Sequence, residues 1–139
     1  MTSGTSPSDP KATVAAFLAA LERLDLPAAL ALACDDMVYQ NVPLRPAHGI
    51  PAVEKQLGWM LTHFTGFEAR IRHMAADGPV VLTERVDVLK YRAWAAEFWV
   101  CGTFEVRDGR IAVWRDYFDW GAFLLASARG LGRAWFRRR

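Results

Sequence analysis

The segment Val80-Val-Leu-Thr-Glu-Arg-Val-Asp-Val-Leu89 decides the fold class, because its β-branched and apolar residues are typical of a β-strand. The turn signal Asp77-Gly78-Pro79 precedes this segment, and Asp108-Gly109 marks a second turn further along. Three other runs have the same strand-like composition: 67–74, 94–106 and 110–118. Successive strands joined by short turns predict a meander.

Helical patterns lie on both sides of this meander. Asp9-Pro10 combines an N-cap residue with a proline in the first turn, and apolar residues then recur at helical spacing from Val14 to Leu21. The other predicted elements are helices at about 27–33, 51–64 and 120–128 and a strand at 37–42. This order predicts an α+β fold, with the N-terminal helices packed in the concavity of a curved, mixed or antiparallel sheet.

Length and composition indicate one domain. The 139 residues suffice for one core, which we place at 10–128, between a disordered tail at 1–9 and a basic tail at 129–139. The basic tail is expected to be solvated, with contact to anionic lipid or a partner as the alternative. A net charge of +2 argues against nucleic-acid binding, and no run of about 18 apolar residues predicts a membrane span. We expect a cytoplasmic protein without integral membrane association.

The cysteines and histidines indicate no metal or redox chemistry. Cys34 is expected in a helical stretch and Cys101 in a strand, and neither has CxxC spacing or a clustered histidine. His48, His63 and His73 lack any spacing typical of metal ligands. We therefore predict buried, reduced thiols and no metal or other cofactor.

Polar residues interrupt the apolar β-type runs in a regular way. Three pairs have the same two-residue spacing: Tyr39-x-Asn41, Arg85-x-Asp87 and Trp114-x-Asp116. Residues two apart on a strand point to the same face of a sheet. Burying such groups is costly unless they satisfy one another, so the pattern predicts one shared site.

The charges of this site predict its chemistry. If Arg85 bridges Asp87 and Asp116, full ionisation leaves the three groups with a net charge of −1, which an apolar cavity disfavours. One carboxyl should then hold a proton while the other stays ionised, which places a general acid beside a general base. The charge argument does not distinguish which aspartate is the acid.

The remaining pair suits a water molecule. Tyr39 and Asn41 offer donors and acceptors that could hold one water against the ionised carboxylate. An activated water opposite an acid requires an electrophile whose leaving oxygen stays attached and becomes a hydroxyl. A strained cyclic ether meets that requirement, and positioned proton transfer contributes roughly 10²–10⁴-fold to such a reaction.

Apolar residues on the opposite strand faces predict a homodimer. On the strand at 80–89, that face carries Leu82, Val86 and Val88, and on the strand at 110–118 it carries Ile111, Val113 and Tyr117. A single layer of helices would leave this surface exposed to water. We therefore expect two copies to associate through the outer face of the sheet.

The chain resembles the limonene-1,2-epoxide hydrolase family, in its bacterial branch, over most of its length from about Pro10 to Ala128. Four segments carry the resemblance: Val38-Tyr-Gln-Asn41, Leu82-Thr-Glu-Arg-Val-Asp87, Phe98-Trp-Val-Cys-Gly-Thr-Phe-Glu105 and Gly109-Arg-Ile-Ala-Val-Trp-Arg-Asp-Tyr-Phe-Asp119. The resemblance implies a curved cone related to the nuclear transport factor and ketosteroid isomerase folds. It also implies hydration of an epoxide in one step, without a metal or a covalent ester.

The resemblance further implies a role for each polar residue. Asp116 is the expected base on water and Asp87 the expected acid on the epoxide oxygen, with Arg85 coupling them. Tyr39 and Asn41 would hold the water.

The resemblance also implies an apolar pocket. We expect Trp114, Leu89, Phe118 and Met60 to line it, and a hydrophobic epoxide to be the substrate together with water. Two alternatives remain open: an isomerase or cyclase on the same cone, and a noncatalytic module that binds apolar ligands. The bridging arginine argues against the isomerase, because enolate chemistry has no use for an extra cation.

Overall fold

The sheet contains six strands within residues 9–137, the part of the chain that this computed structural model describes. The strands are β1 (Ala33–Asn41), β2 (Ala47–His48), β3 (Gly66–Asp77), β4 (Val80–Tyr91), β5 (Trp94–Arg107) and β6 (Arg110–Tyr117). Their order across the sheet is β2-β1-β6-β5-β4-β3. β1 pairs with β6 in parallel, whereas the other described pairings are antiparallel. The predicted meander of β3 to β6 and the mixed α+β class are confirmed.

Four helices accompany the sheet in the described residues: α1 (Pro10–Glu22), α2 (Leu26–Ala31), α3 (Ile50–His63) and α4 (Trp120–Arg137). The predicted start at Asp9-Pro10 is confirmed, because the Asp9 side chain caps α1 by accepting the backbone N–H of Lys11 at 3.1 Å. Asp25 caps α2 in the same way through the N–H of Ala28. None of the helices described between residues 9 and 137 is long and apolar enough to cross a membrane.

Helix α1 packs against the face of the sheet that carries Arg85 and Trp114, which we call the concave face. Its residues Val14, Phe17 and Leu21 have no exposed surface. The Phe17 ring meets the Trp114 indole edge to face, with 5.3 Å between ring centroids. The prediction that an N-terminal helix covers one face of the sheet is therefore confirmed.

The segment around Cys34 differs from the prediction. Helix α2 was expected to continue to residue 33, with Cys34 in a helical stretch, but it ends at Ala31 and Cys34 is a buried residue of β1. The pairing of β1 with β6 is irregular between Ala33 and Val38, and Asp35 and Asp36 are exposed there. These two adjacent acidic residues interrupt the alternation of apolar and polar residues by which a strand is recognised in a sequence.

Ile111 also lies on a different face from the one predicted. The register of β5 and β6 shifts between Glu105 and Val106, so that Val106 pairs with Ile111 and Glu105 with Val113. A bulge inserts one extra residue and reverses the side to which the preceding residues point. Ile111 is therefore part of the core beside Trp114, and it does not contribute to the outer face.

The final helix is longer than the sequence indicated. We predicted a helix at 120–128 and a basic tail at 129–139, but α4 continues to Arg137. The helix approaches β5 closely at Gly130, and the Trp94 indole N–H donates to the carbonyl of Ser127 at 3.0 Å. The predicted disordered tail at 1–9 lies outside the described residues, except for Asp9.

The two glycines of α4 allow a direct test of this packing. Gly130→Ala should lower the free energy of unfolding by about 1–3 kcal/mol, because the added Cβ would overlap the carbonyl oxygen of Ala95 and lie 2.9 Å from Trp94 Nε1. Gly132→Ala is the control, since no described atom lies within 4 Å of the Cβ that alanine would add there. It should raise stability by about 0.5–1 kcal/mol through helix propensity. Urea unfolding measures both, and equal effects of the two changes would contradict the described contact.

Candidate active site

The strand register brings the three polar pairs together on the concave face. Tyr39 and Asn41 of β1 lie beside Trp114 and Asp116 of β6 across the parallel pairing. On the other side of β6, Asp116 is opposite Gly102 of β5. Gly102 in turn is opposite Thr83 of β4, two residues from Arg85. The predicted shared site is therefore present as a geometric cluster.

Arg85 is at the centre of this cluster and has no exposed surface. Its Nε and Nη2 donate to the two carboxylate oxygens of Asp87 at 3.0 and 2.8 Å. Nη2 also donates to Oδ2 of Asp116 at 2.8 Å, and Nη1 donates to Thr83 Oγ1 at 3.2 Å. One guanidinium thus joins both carboxyl groups, as the sequence predicted.

Asp116 has a second partner besides Arg85. The indole Nε1 of Trp114 donates to Asp116 Oδ1 at 2.7 Å. Among the described residues, every buried side-chain nitrogen and oxygen has a hydrogen-bond partner. The cluster therefore meets the requirement that buried polar groups satisfy one another.

A glycine makes space for the guanidinium. A Cβ on Gly102 would lie 2.5 Å from Arg85 Nη1, 2.8 Å from Asp116 Oδ1 and 2.9 Å from Thr83 Oγ1. Those atoms are buried and hydrogen-bonded, so they cannot move aside cheaply. Neither Gly102 nor Thr83 was predicted as a site residue from the sequence. A glycine inside a strand, where another group approaches closely, is the signal that could have identified the first.

Burial determines the electrostatics of the cluster. Removal from water is the main cause that raises the pKa of Asp116, although the Arg85 charge acts in the opposite direction. Burial alone would lower the pKa of Arg85, but the carboxylates of Asp116 and Asp87 hold it above its ordinary value. The arginine therefore stays charged, whereas burial opposes the ionisation of Asp116.

Tyr39 and Asn41 form a polar pair beside Asp116. Asn41 Nδ2 donates to the Tyr39 hydroxyl at 3.1 Å, and the Tyr39 ring stacks on Trp114 with centroids 4.4 Å apart. Burial and the nearby Asp116 carboxylate raise the pKa of Tyr39, so its hydroxyl keeps its proton. Since this oxygen already accepts from Asn41, its own hydrogen can point to another acceptor.

A mainly apolar cavity of about 150 Å³ opens over the carboxyl groups. The four residues that we expected to bind substrate line it: Trp114, Leu89, Phe118 and Met60. The walls also include Tyr39, Asn41, Asp87 and Asp116. Arg85 does not line the cavity and lies behind its polar end.

Four further aromatic residues of the cavity were not predicted from the sequence: Phe67, Phe98, Trp120 and Phe123. Phe98 pairs with Asp87 across β4 and β5, and Phe67 pairs with Leu89 across β3 and β4. Correct pairing of the predicted strands would have placed both on the face of Asp87. Trp120 and Phe123 are three residues apart on α4, a spacing that places two side chains on one side of a helix.

Two further features of the described residues are separate from this cluster. An open groove of about 660 Å³ follows α3 and includes Arg45, Lys55 and Trp59, but no carboxylate lines it. No group of three or more His, Cys, Asp or Glu residues between positions 9 and 137 is arranged to hold a metal ion. The absence of a cofactor stays a prediction.

Comparisons with known proteins identify relatives of this chain. The family model described as the limonene-1,2-epoxide hydrolase catalytic domain matches residues 8–129. Epoxide hydrolase EphG of Mycobacterium tuberculosis is 44% identical over 118 residues, which are 85% of this chain and 78% of EphG. The structure of an M. tuberculosis LEH-like epoxide hydrolase superposes with a TM-score of 0.82 at 42% identity, covering 88% of this chain and 92% of the other.

More distant structures share the fold alone. A putative polyketide cyclase from Xanthomonas campestris superposes with a TM-score of 0.74 at 20% identity, covering 88% of this chain and 99% of the other. The predicted cone related to nuclear transport factor is confirmed by such neighbours, one of which is an NTF2-like protein from Burkholderia pseudomallei.

Removal of the central cation should reveal how the site is stabilised. Arg85→Met leaves two buried carboxyl groups without a counter-charge, so we expect a loss of about 3–5 kcal/mol at pH 7. In the folded variant the two buried carboxyl groups should bind protons more tightly than they do in the unfolded chain. The lost stability should therefore return as the pH falls toward the ordinary aspartate pKa of about 4.

The control for this experiment is Arg115→Met. Arg115 is adjacent to Asp116 but faces outward, where its Nη1 lies 3.7 Å from Glu105 Oε2. Such a partly exposed pair should contribute less than about 1 kcal/mol. Denaturant unfolding of both variants at pH 7 and at lower pH measures the difference. Similar losses, or a loss for Arg85→Met that does not depend on pH, would contradict the described ion cluster.

Proposed function

Because this chain belongs to the limonene-1,2-epoxide hydrolase family, we propose that it is an epoxide hydrolase that adds water to an apolar epoxide in one step. The product would be a vicinal diol. The observation that carries the proposal is the buried Arg85, which holds the carboxyls of Asp87 and Asp116 together at the polar end of an apolar cavity.

The charge of the buried cluster favours the retention of one proton. Two carboxylates and one guanidinium carry −1 when all are ionised, and the cluster is almost wholly buried. Retaining one proton makes it neutral, and the raised pKa of Asp116 favours such retention. With one proton retained, the pair contains one proton donor and one proton acceptor, which is what simultaneous acid and base catalysis requires.

The surroundings of Asp116 support its role as the base. Asn41 is its partner across β1 and β6, and the Tyr39 hydroxyl is held beside it by Asn41. A water placed between these groups could accept from Tyr39 and donate to Asp116. Asp87 accepts from Nε and Nη2 of Arg85 and lines the cavity, where it pairs with Phe98 across β4 and β5, which suits an acid that meets the epoxide oxygen.

The reaction then proceeds with a balanced transfer of protons. The water oxygen forms a bond to one epoxide carbon while the bond from that carbon to the epoxide oxygen breaks. Asp116 accepts a proton from the water, and Asp87 donates its proton to the epoxide oxygen. Each turnover therefore moves the shared proton from Asp87 to Asp116, and return of that proton resets the pair.

The raised pKa of Asp116 is compatible with this assignment. A carboxylate with a raised pKa is a stronger acceptor for a proton from water. Burial raises the pKa of Asp116, whereas the proposed reactive form carries the shared proton on Asp87. A water that donates to Asp116 stabilises the ionised form of that carboxylate and shifts the proton toward Asp87.

The cavity supports a compact, apolar substrate. Its volume of about 150 Å³ is similar to that of an apolar cavity that holds benzene, and aromatic rings form most of its walls. A cyclic terpene oxide, a cycloalkene oxide or the epoxide end of a lipid is compatible with these walls. Independence from cofactors and a location in the cytoplasm are further predictions.

We also propose that the protein forms a homodimer through the outer face of the sheet. Leu82, Trp99 and Tyr117 are about half exposed there, and Val86 pairs with Trp99 across β4 and β5. Exposed aromatic and aliphatic residues on neighbouring strands form the kind of apolar area that oligomers cover.

Substitution of each catalytic aspartate tests the reaction. Asp87→Asn and Asp116→Asn should each lower the rate of diol formation by roughly 10²–10⁴-fold, because an amide keeps the shape of the side chain and loses its proton transfer. Asp77→Asn, at the exposed end of β3, is the matched control and should keep full activity. Activity of either site variant close to that of the parent would contradict the assignment.

Isotope labelling in the same assay tests whether the hydration is direct. A single turnover in heavy-oxygen water should place one solvent oxygen in the diol. A first turnover that gives unlabelled diol would instead indicate an ester between substrate and an aspartate. If no epoxide in a panel of cyclic and linear compounds gives a diol, the isomerase or binding alternative is favoured.

The dimer has its own test. Trp99→Glu places a charge in the middle of the proposed interface and should convert the dimer into a monomer, whereas Trp59→Glu on the exposed side of α3 should not. Analytical ultracentrifugation over a range of concentrations measures the mass. A parent protein that is monomeric throughout would contradict the proposal.

A further inference from the structure

We propose that helix α4 binds the surface of an anionic lipid bilayer and attaches the protein to membranes peripherally. The helix has an apolar face that is largely exposed to solvent. Its members are between 53% and 74% exposed: Leu124, Leu125, Leu131, Trp135 and Phe136. These are the largest exposed apolar side chains of the helix, and four of the five are more than 60% exposed.

The geometry of an α-helix places these residues side by side. At about 100° per residue, Leu124, Leu131 and Trp135 fall within an arc of about 40°. Leu125 and Phe136 lie about 100° further around the helix axis. The positions between the two groups are alanine and glycine: Gly121, Ala128 and Gly132. The uncovered face is therefore a continuous apolar arc of roughly 140°.

The opposite side of α4 is already occupied by the protein. Gly130 is buried against β5, Phe123 lines the cavity, and the Ser127 carbonyl accepts from the Trp94 indole. The outward arc is thus a second apolar surface of the same helix, and the domain core does not account for it.

Charge identifies the partner. Arg129 and Arg133 follow the apolar arc around the helix, and residues 120–139 contain five arginines and no acidic residue. Leucine and aromatic residues on one face with arginines beside them are the composition of helices that lie in the interface of a membrane. Guanidinium groups bind lipid phosphates through charge-assisted hydrogen bonds. An anionic bilayer therefore complements both parts of this surface.

A second copy of the chain fits this surface less well. A symmetric contact places the same patch of both subunits together, so two α4 helices would bring their arginines close without an acidic residue on either helix. The outer face of the sheet offers a separate apolar surface for a dimer. Helix α4 would remain accessible to lipid in such a dimer.

Membrane attachment would place the cavity near lipid, because Trp120 and Phe123 of the same helix form part of its wall. An apolar epoxide dissolved in the bilayer would then have a short route to the site. This consequence depends on the proposed function, whereas lipid binding by α4 does not.

Flotation of the full chain with lipid vesicles tests the proposal. The protein should bind vesicles that contain about one third phosphatidylglycerol in phosphatidylcholine, and about 0.5 M sodium chloride should weaken this binding several-fold.

The variant Leu131→Gln/Phe136→Gln should lower the partition coefficient at least about tenfold, and Arg129→Gln/Arg133→Gln should lower it selectively for anionic vesicles. Leu44→Gln/Trp59→Gln removes similarly exposed apolar side chains elsewhere and should bind like the parent.

Either of two results would overturn the proposal. One is that the parent protein fails to float with anionic vesicles in the assay, and the other is that an α4 variant binds these vesicles as strongly as the parent does. Loss of dimer mass in Leu131→Gln/Phe136→Gln, together with no vesicle binding by the parent, would show a subunit contact instead. Circular dichroism and hydrolysis of a water-soluble epoxide verify folding of the variants. Failure of the parent to make any diol would leave the flotation result unaffected and would count only against the proposed function.

Discussion

The buried ion cluster of Arg85 with Asp87 and Asp116 is the interaction on which the rest of this structure depends. A guanidinium with no exposed surface is tolerated only because two carboxylates and the Thr83 hydroxyl accept its hydrogens. The backbone accommodates that arrangement, since Gly102 leaves room for the guanidinium group. The parallel pairing of β1 with β6 then brings Tyr39 and Asn41 beside the same carboxyl group.

The same constraint connects stability with the proposed chemistry. An arginine that stays charged fixes the positions of two carboxyl groups, and burial makes it unfavourable for both to be ionised. A single retained proton would make one carboxyl a donor and leave the other an acceptor, as the proposed reaction requires. The walls of the cavity are mainly apolar and aromatic, so a water held by Tyr39 and Asn41 would be the one positioned to react. The proposed hydration of an epoxide uses this combination of a proton donor, a proton acceptor and a held water.

Much of this arrangement could be predicted from the sequence, and the exceptions have physical causes. The spacing of Arg85 and Asp87 placed them on one face because β4 is a regular strand, whose alternation the sequence preserves. Ile111 was misplaced because a bulge reverses alternation without changing composition, and Cys34 because two adjacent aspartates interrupt the pattern of β1. The end of α4 was misjudged because its continuation depends on close packing at Gly130, a tertiary contact that local sequence does not reveal. The family resemblance added the roles of the two aspartates, which the charge argument left open.

The central claim is that Asp87 and Asp116 share one proton at neutral pH. Carbon-13 NMR of protein labelled at the aspartate side-chain carboxyls tests it most directly, with Asp87→Asn and Asp116→Asn spectra to assign the two signals. The account predicts that the pair loses one proton equivalent in the acid range and keeps the other well above the ordinary aspartate pKa of about 4. Complete ionisation of both carboxyls at or below that value would contradict it.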